Sequence, residues 1–129
     1  MRETVVFRWL AAGDTGDFEA FDELLHPNVI VHAPLGLSTK SAEAEKEVWR
    51  KALHAIPTIQ HDVQEVVVND NIEMARVLVR GVIESDFANI KGSGKSFVID
   101  QAIILHLKEG KAIEIWEITD VASIKSQVE

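Results

Sequence analysis

One stretch, Phe97 to Asp120 (FVIDQAIILHLKEGKAIEIWEITD), constrains the fold more than any other. Two runs rich in β-branched and aliphatic residues flank Lys108-Glu109-Gly110. Gly110 stands where a three-residue hairpin loop needs a left-handed residue. Two long antiparallel strands are predicted, with Leu105 against Ile113, Ile103 against Ile115 and Gln101 against Glu117. Side chains alternate along a strand, so Phe97, Ile99, Gln101, Ile103 and Leu105 share a face that Ile113, Ile115 and Glu117 complete. That face is apolar apart from the facing pair Gln101 and Glu117, and that pair is the leading chemical signal.

The rest of the chain supplies what such a hairpin packs against. Arg2 to Ala12 has helical spacing, with Val5, Val6, Trp9 and Leu10 on one side, and Gly13-Asp14-Thr15-Gly16 is expected to break it. Asp17 is placed to cap a second helix that turns Phe18, Phe21, Leu24 and Leu25 inward and closes at Pro27. Val29 to His32 reads as a short strand. Ser41 caps a third helix, whose buried side is predicted as Ala44, Val48, Ala52 and Ile56 with Trp49 beside them, ending at Pro57. Strands follow at Ile59 to Val68 and Ile72 to Asp86, joined by Asn69-Asp70-Asn71. Ala88 to Lys95 is a glycine-bearing connection and Val121 to Glu129 a tail. Three helices followed by mainly antiparallel strands make a single α+β domain over residues 1–129. A strongly curved sheet around the helices leaves a cavity lined by the inner face of the hairpin.

Composition narrows the function. A net charge of −8 without a Lys/Arg cluster argues against nucleic acid and anionic membrane surfaces as partners. With no cysteine there is no disulfide and no thiolate metal site. The N-terminal residues lack a basic-then-apolar leader, and no apolar run approaches ~18 residues, so a cytoplasmic setting is expected. The five histidines show no HExxH or similar spacing, and no metal site is expected.

Gly16-Asp17-Phe18 with Leu24 to Val29, His32-Ala33-Pro34, Gly81 to Lys95, and Lys108 to Glu117 with its Ile115-Trp116-Glu117 form four stretches. Together they resemble the SnoaL-like polyketide cyclases of the NTF2-like superfamily. The resemblance implies a cone-shaped α+β barrel with three N-terminal helices on a strongly curved mixed sheet, a deep apolar pocket, a homodimer and no cofactor. In such cyclases an Asp directly after the Trp is the acid/base of an aldol closure. Here that position is Glu117, one methylene longer. The family's assisting His falls at Ile103, which cannot hydrogen-bond. The related ketosteroid isomerases have functional residues at the positions of Trp9, Ala33 and Ile103, and epoxide hydrolases of the limonene type have an Asp at Ile103.

The expected site therefore centres on Glu117 as general base, its pKa raised by an apolar surround. Gln101 orients it or donates to an enolate oxygen, and His32 lies at the pocket mouth as acid/base or donor. Trp9, Trp49, Ile103 and Ile115 are the substrate-binding candidates, with core packing as the competing role for the two tryptophans. The expected reaction is cofactor-free aldol cyclisation or proton-shift isomerisation of an apolar carbonyl-bearing or polycyclic molecule. The alternative is a non-catalytic module for small-ligand binding or dimerisation, favoured by Ile103. On the opposite face, Asp100, His106, Glu114 and Trp116, with Ile104 and Ile118, are expected to form the homodimer contact.

Overall fold

The computed structural model describes residues 1–129. Helix α1 (Val5–Thr15) opens the chain, capped by the Thr4 hydroxyl, which accepts the Phe7 N–H at 3.3 Å. It runs through Gly13 instead of breaking there. The Trp49 ring lies so close to Gly13 that an added Cβ would sit 2.4 Å from it, so glycine is kept for contact. The helix ends at Gly16 (φ 76°), where the N–H groups of Gly16 and Asp17 return to Gly13 and Ala12. A 3₁₀ turn (Phe18–Ala20) leads into the short α2 (Phe21–Leu24), and Asp17 makes no capping hydrogen bond.

Strand β1 (Leu25–His32) follows, then α3 (Ala42–Ala55), whose Ser41 cap accepts the Ala44 N–H at 3.0 Å. Strands β2 (Gln60–Asn69), β3 (Ile72–Val82), β4 (Ser96–Lys108) and β5 (Lys111–Thr119) build the sheet. The expected tail is instead a fourth helix, α4 (Val121–Val128). Asp120 caps it through the Ser123 N–H, and Ile124 and Val128 are buried.

The strand order is β1-β5-β4-β3-β2, with β1 parallel to β5 and all other pairs antiparallel. β1 and β2 remain edges, so the sheet is an open trough and not a closed barrel. Its inner face carries Ala75, Val77 and Val79 of β3 and Phe97, Ile99, Gln101, Ile103 and Leu105 of β4, all buried in the core beneath the helices. No helix is long and apolar enough to cross a membrane.

The hairpin register differs from the expected one. Its loop is two residues, Glu109 (φ 52°) and Gly110 (φ 81°), and Lys108 pairs with Lys111. The doubly left-handed turn suits the right-handed twist of the flanking strands. An irregularity after His106 then sets Leu105 against Ile115, Ile103 against Glu117 and Gln101 against Thr119. Ala112, not Ile113, takes the buried place at the start of β5. The shift is by two residues, so Glu117 keeps its inward direction.

Candidate functional site

The inner face, α3, α4 and two loops enclose a cavity of about 130 Å³ lined by 20 residues, 14 of them hydrophobic. That free volume is close to what holds one six-membered ring. Val48, Trp49, Ala52 and Ile56 form its α3 wall, Val79, Phe97 and Ile99 its sheet wall, and Ile124 the α4 side. Leu35, Leu37 and Phe87 come from loops and also border an adjoining cleft that contains Arg50, Lys51 and His54. Those three side chains thus separate the cavity from the cleft. The polar lining is confined to Glu45, His61, Gln101, Glu117 and Thr119.

Glu117 projects from β5 into this apolar wall, opposite Ile103 on β4. None of the structure's hydrogen bonds or ion pairs reaches its carboxyl. It keeps partial exposure, yet it is deep enough for desolvation to dominate, and its pKa is pushed up to about 8. Burial is the larger cause and the nearby charge of Glu45 the second.

Glu45 is the residue that the sequence did not single out. It lies in the first turn of α3, 1% exposed, and accepts hydrogen bonds from the Thr39 hydroxyl at 2.8 Å and the Trp49 indole N–H at 3.1 Å. Backbone bonds between Val31 and Thr39 hold the loop against β1 and place that hydroxyl. Desolvation raises the Glu45 pKa, and the two donors pull it back. Donors and the positive end of the helix dipole favour charge on Glu45, while nothing hydrogen-bonds Glu117. The shared preference therefore puts the proton on Glu117.

The other expected residues divide. Gln101 lines the cavity but faces Thr119, donating to its hydroxyl at 3.1 Å, and its own Oε1 is buried without a partner. Trp49 lines the cavity. Trp9 is fully buried behind it, edge-on at 5.8 Å, with an unpartnered indole N–H. Ile103 and Ile115 are fully buried in the core and do not reach the cavity surface.

His32 is not at the pocket mouth. It lies on the outer sheet face, stacked on Trp116 at 5.3 Å and bonded to Glu114 at 2.7 Å. Strand alternation decides this, because Val31 takes the inward place.

The sequence also passed over His61, which reaches the cavity from β2. Its signal was its phase: Ile59, His61 and Val63 alternate inward. For Glu45 the signal was the α3 stripe Ala42, Glu45, Trp49, Ala52 and Ile56, at the 3–4 residue spacing of a helix face. The stripe at four-residue steps drifts off that face, and Ala44 is exposed. No cluster of three or more His, Asp or Glu side chains has metal-binding geometry.

A family model described as SnoaL-like polyketide cyclase matches residues 3–128. Among solved structures, TsrD from Streptomyces laurentii superposes with TM-score 0.87 at 21% identity, over 96% of this chain and 91% of that one. IdmH from Streptomyces antibioticus, a proposed polyketide cyclase, gives 0.84 at 21% over 95% and 94%. AclR from Streptomyces galilaeus, a proposed hydroxylase, gives 0.79 at 15% over 96% and 92%. These likenesses establish the fold. A search of curated proteins gives no match.

Proposed function

The chain belongs to the SnoaL-like polyketide cyclase family, and from that premise we propose that it performs cofactor-free acid–base chemistry on a small apolar carbonyl compound. The reaction class is aldol cyclisation or proton-shift isomerisation, with Glu117 as the proton-transfer residue. One observation carries this reading: an unpaired carboxyl in an apolar cavity, its pKa raised to about 8. Above that pH the carboxylate is a strong base for a carbon-bound proton, since little water solvates it. Below it the acid form donates to a carbonyl oxygen. The family's established assistant position, Ile103, offers no donor, which is what favours a purely ligand-binding role as the competing reading.

Hydrogen exchange at the carbons beside the carbonyl of cyclohexanone, followed by NMR in heavy water, separates the two. The ring matches the free volume of the cavity. Catalysis predicts accelerated exchange that falls at least about a hundredfold in Glu117→Gln and persists in Glu114→Gln. Equal exchange by wild type and Glu117→Gln leaves the binding module as the better account.

We also propose a homodimer through the outer sheet face. Val67, Met74, Val98 and Ile118 are 47% to 63% exposed there, around the partly covered Trp116. The charges that flank them are already matched: Arg76 reaches Glu65 at 3.3 Å and Asp100 at 3.6 Å, and Arg80 pairs with Asp62. A face with paired charges and uncovered aliphatics suits a second copy of itself better than it suits a strongly charged partner.

A further inference from the structure

Besides the two glutamates, one more titratable residue lines the cavity, His61, and it is bonded to Asp14 outside the lining. The Asp14 carboxylate, near the end of α1, holds His61 twice. Its Oδ1 lies 2.6 Å from the ring Nδ1, and its Oδ2 accepts the His61 backbone N–H at 2.7 Å. Both side chains are largely covered, 8% exposed for His61 and 16% for Asp14. The Trp49 ring packs against the imidazole at 5.1 Å, and Val79 is its backbone neighbour on β3. Asp14 is the one charged group bonded to the imidazole. The other titratable groups lining the cavity are Glu45 and Glu117.

This arrangement fixes a tautomer. A carboxylate at Nδ1 keeps the proton on that nitrogen and leaves the Nε2 lone pair as the free end of the ring. The ring's single hydrogen bond is the one to Asp14, and the ring lines the cavity. The backbone bond ties β2 to α1, and the second bond, to the ring, fixes the orientation of the imidazole as well.

We propose that His61, oriented by Asp14, takes the carbon-bound proton of the substrate, while Glu117 in its acid form donates to the carbonyl oxygen. The proposal rests on the reading of Glu117 as a proton-transfer residue and supplies its partner. The step balances without any added reagent. The Nε2 lone pair removes a proton from the carbon beside the carbonyl, and the freed C–H electrons form a C=C bond. The carbonyl π pair moves to oxygen, which takes the Glu117 proton. The products are an enol, a Glu117 carboxylate and an imidazolium paired with Asp14. In an isomerisation the imidazolium returns its proton at a different carbon, and Glu117 recovers its own from the enol. In an aldol closure the enol carbon attacks a second carbonyl of the same molecule. The donor that is lacking at Ile103 is thereby supplied by Glu117 itself, with the base on the β2 wall.

Cyclohexanone hydrogen exchange tests this in the full chain with Asp14→Asn, His61→Gln and Glu117→Gln. Expected are a loss of at least about tenfold in kcat for His61→Gln and for Asp14→Asn, with KM nearly unchanged. The wild-type rate falls as pH rises through 8, and this alkaline limb disappears in Glu117→Gln. Ring-nitrogen NMR of the unmutated protein gives a measurement that needs no variant to fold: the Nδ1–H tautomer at His61, and an Nε2 resonance that moves when cyclohexanone is added. A proton on Nε2 with Nδ1 bare, or an unmoved resonance, overturns the proposal. If His61→Gln exchanges at the wild-type rate while Glu117→Gln is inactive, His61 is excluded and Glu117 stands. If wild type gives no acceleration at all, both assignments fail.

Discussion

Glu114 and Glu117 lie three residues apart on one strand and occupy opposite chemical worlds. Glu114 points to the outer face, meets His32 at 2.7 Å and sits beside the Trp116 ring that His32 and His106 flank. Glu117 points inward, has no partner and carries a pKa of about 8. Residue type and backbone are shared; the surroundings differ. A carboxylate that finds a cation or water is held in place at little net energy. One that finds aliphatic walls and another carboxylate keeps its proton. The inner face thus stores unfavourable electrostatics where the outer face relieves them, and the proposed function rests on that contrast.

The contrast breaks most visibly in stability against pH. The folded-state pKa of Glu117 lies above its ordinary 4.5, so the folded protein holds that proton more tightly than the unfolded chain. The stability it contributes is full below pH 4.5 and is lost as pH rises through about 8. Glu117→Gln, permanently neutral, should gain stability over wild type between pH 5 and 9 by on the order of 4 kcal/mol in urea unfolding. Glu114→Gln should stay within about 1 kcal/mol across the same range, since it alters one partly exposed side-chain hydrogen bond. Parallel curves for Glu117→Gln and wild type would place its carboxylate in water.

A smaller effect tests the scaffold behind the inner face. Gly13→Ala puts a methyl 2.4 Å from the Trp49 ring, whose N–H holds Glu45. Overpacking should cost about 1–3 kcal/mol in thermal or denaturant unfolding. Unchanged stability would mean that Trp49 is free to move aside.

The smallest effect on the fold belongs to the outer face. Met74→Glu together with Ile118→Lys should change monomer stability by no more than about 1 kcal/mol, since both positions are exposed. Sedimentation should nevertheless report a monomer for this variant and, on the proposed pairing, a dimer for wild type. A wild-type protein that is monomeric at micromolar concentration contradicts the paired face.

Much of the architecture could be read from residue order because the relevant signals are local. Alternation in β4 identifies Phe97 to Leu105 as inward, and Ser41 with its following stripe marks α3. The hairpin register could not be read as easily. Whether Glu109 joins Gly110 in the left-handed region is decided by strand twist and by the irregularity after His106. Gly13 looked like a helix breaker because the partner that requires it, Trp49, is 36 positions away. Glu117 was legible as a carboxylate in an apolar phase. Glu45 and the Asp14–His61 pair were not, for they acquire meaning only when α3 and β2 border one cavity and α1 brings Asp14 to the His61 ring. His32 failed as a candidate for a plain reason. A histidine beside a loop has two faces to choose from, and β1 spends its inward positions on Val29 and Val31.

The most direct test of the central contrast is a carbon-13 NMR titration of the glutamate side-chain carboxyls, with Glu117→Gln and Glu114→Gln used for assignment. The account predicts a Glu117 midpoint near pH 8, moving down in Glu45→Gln as the neighbouring charge is removed. A Glu117 midpoint at or below the ordinary 4.5 would show a solvated or paired carboxylate and would contradict the account.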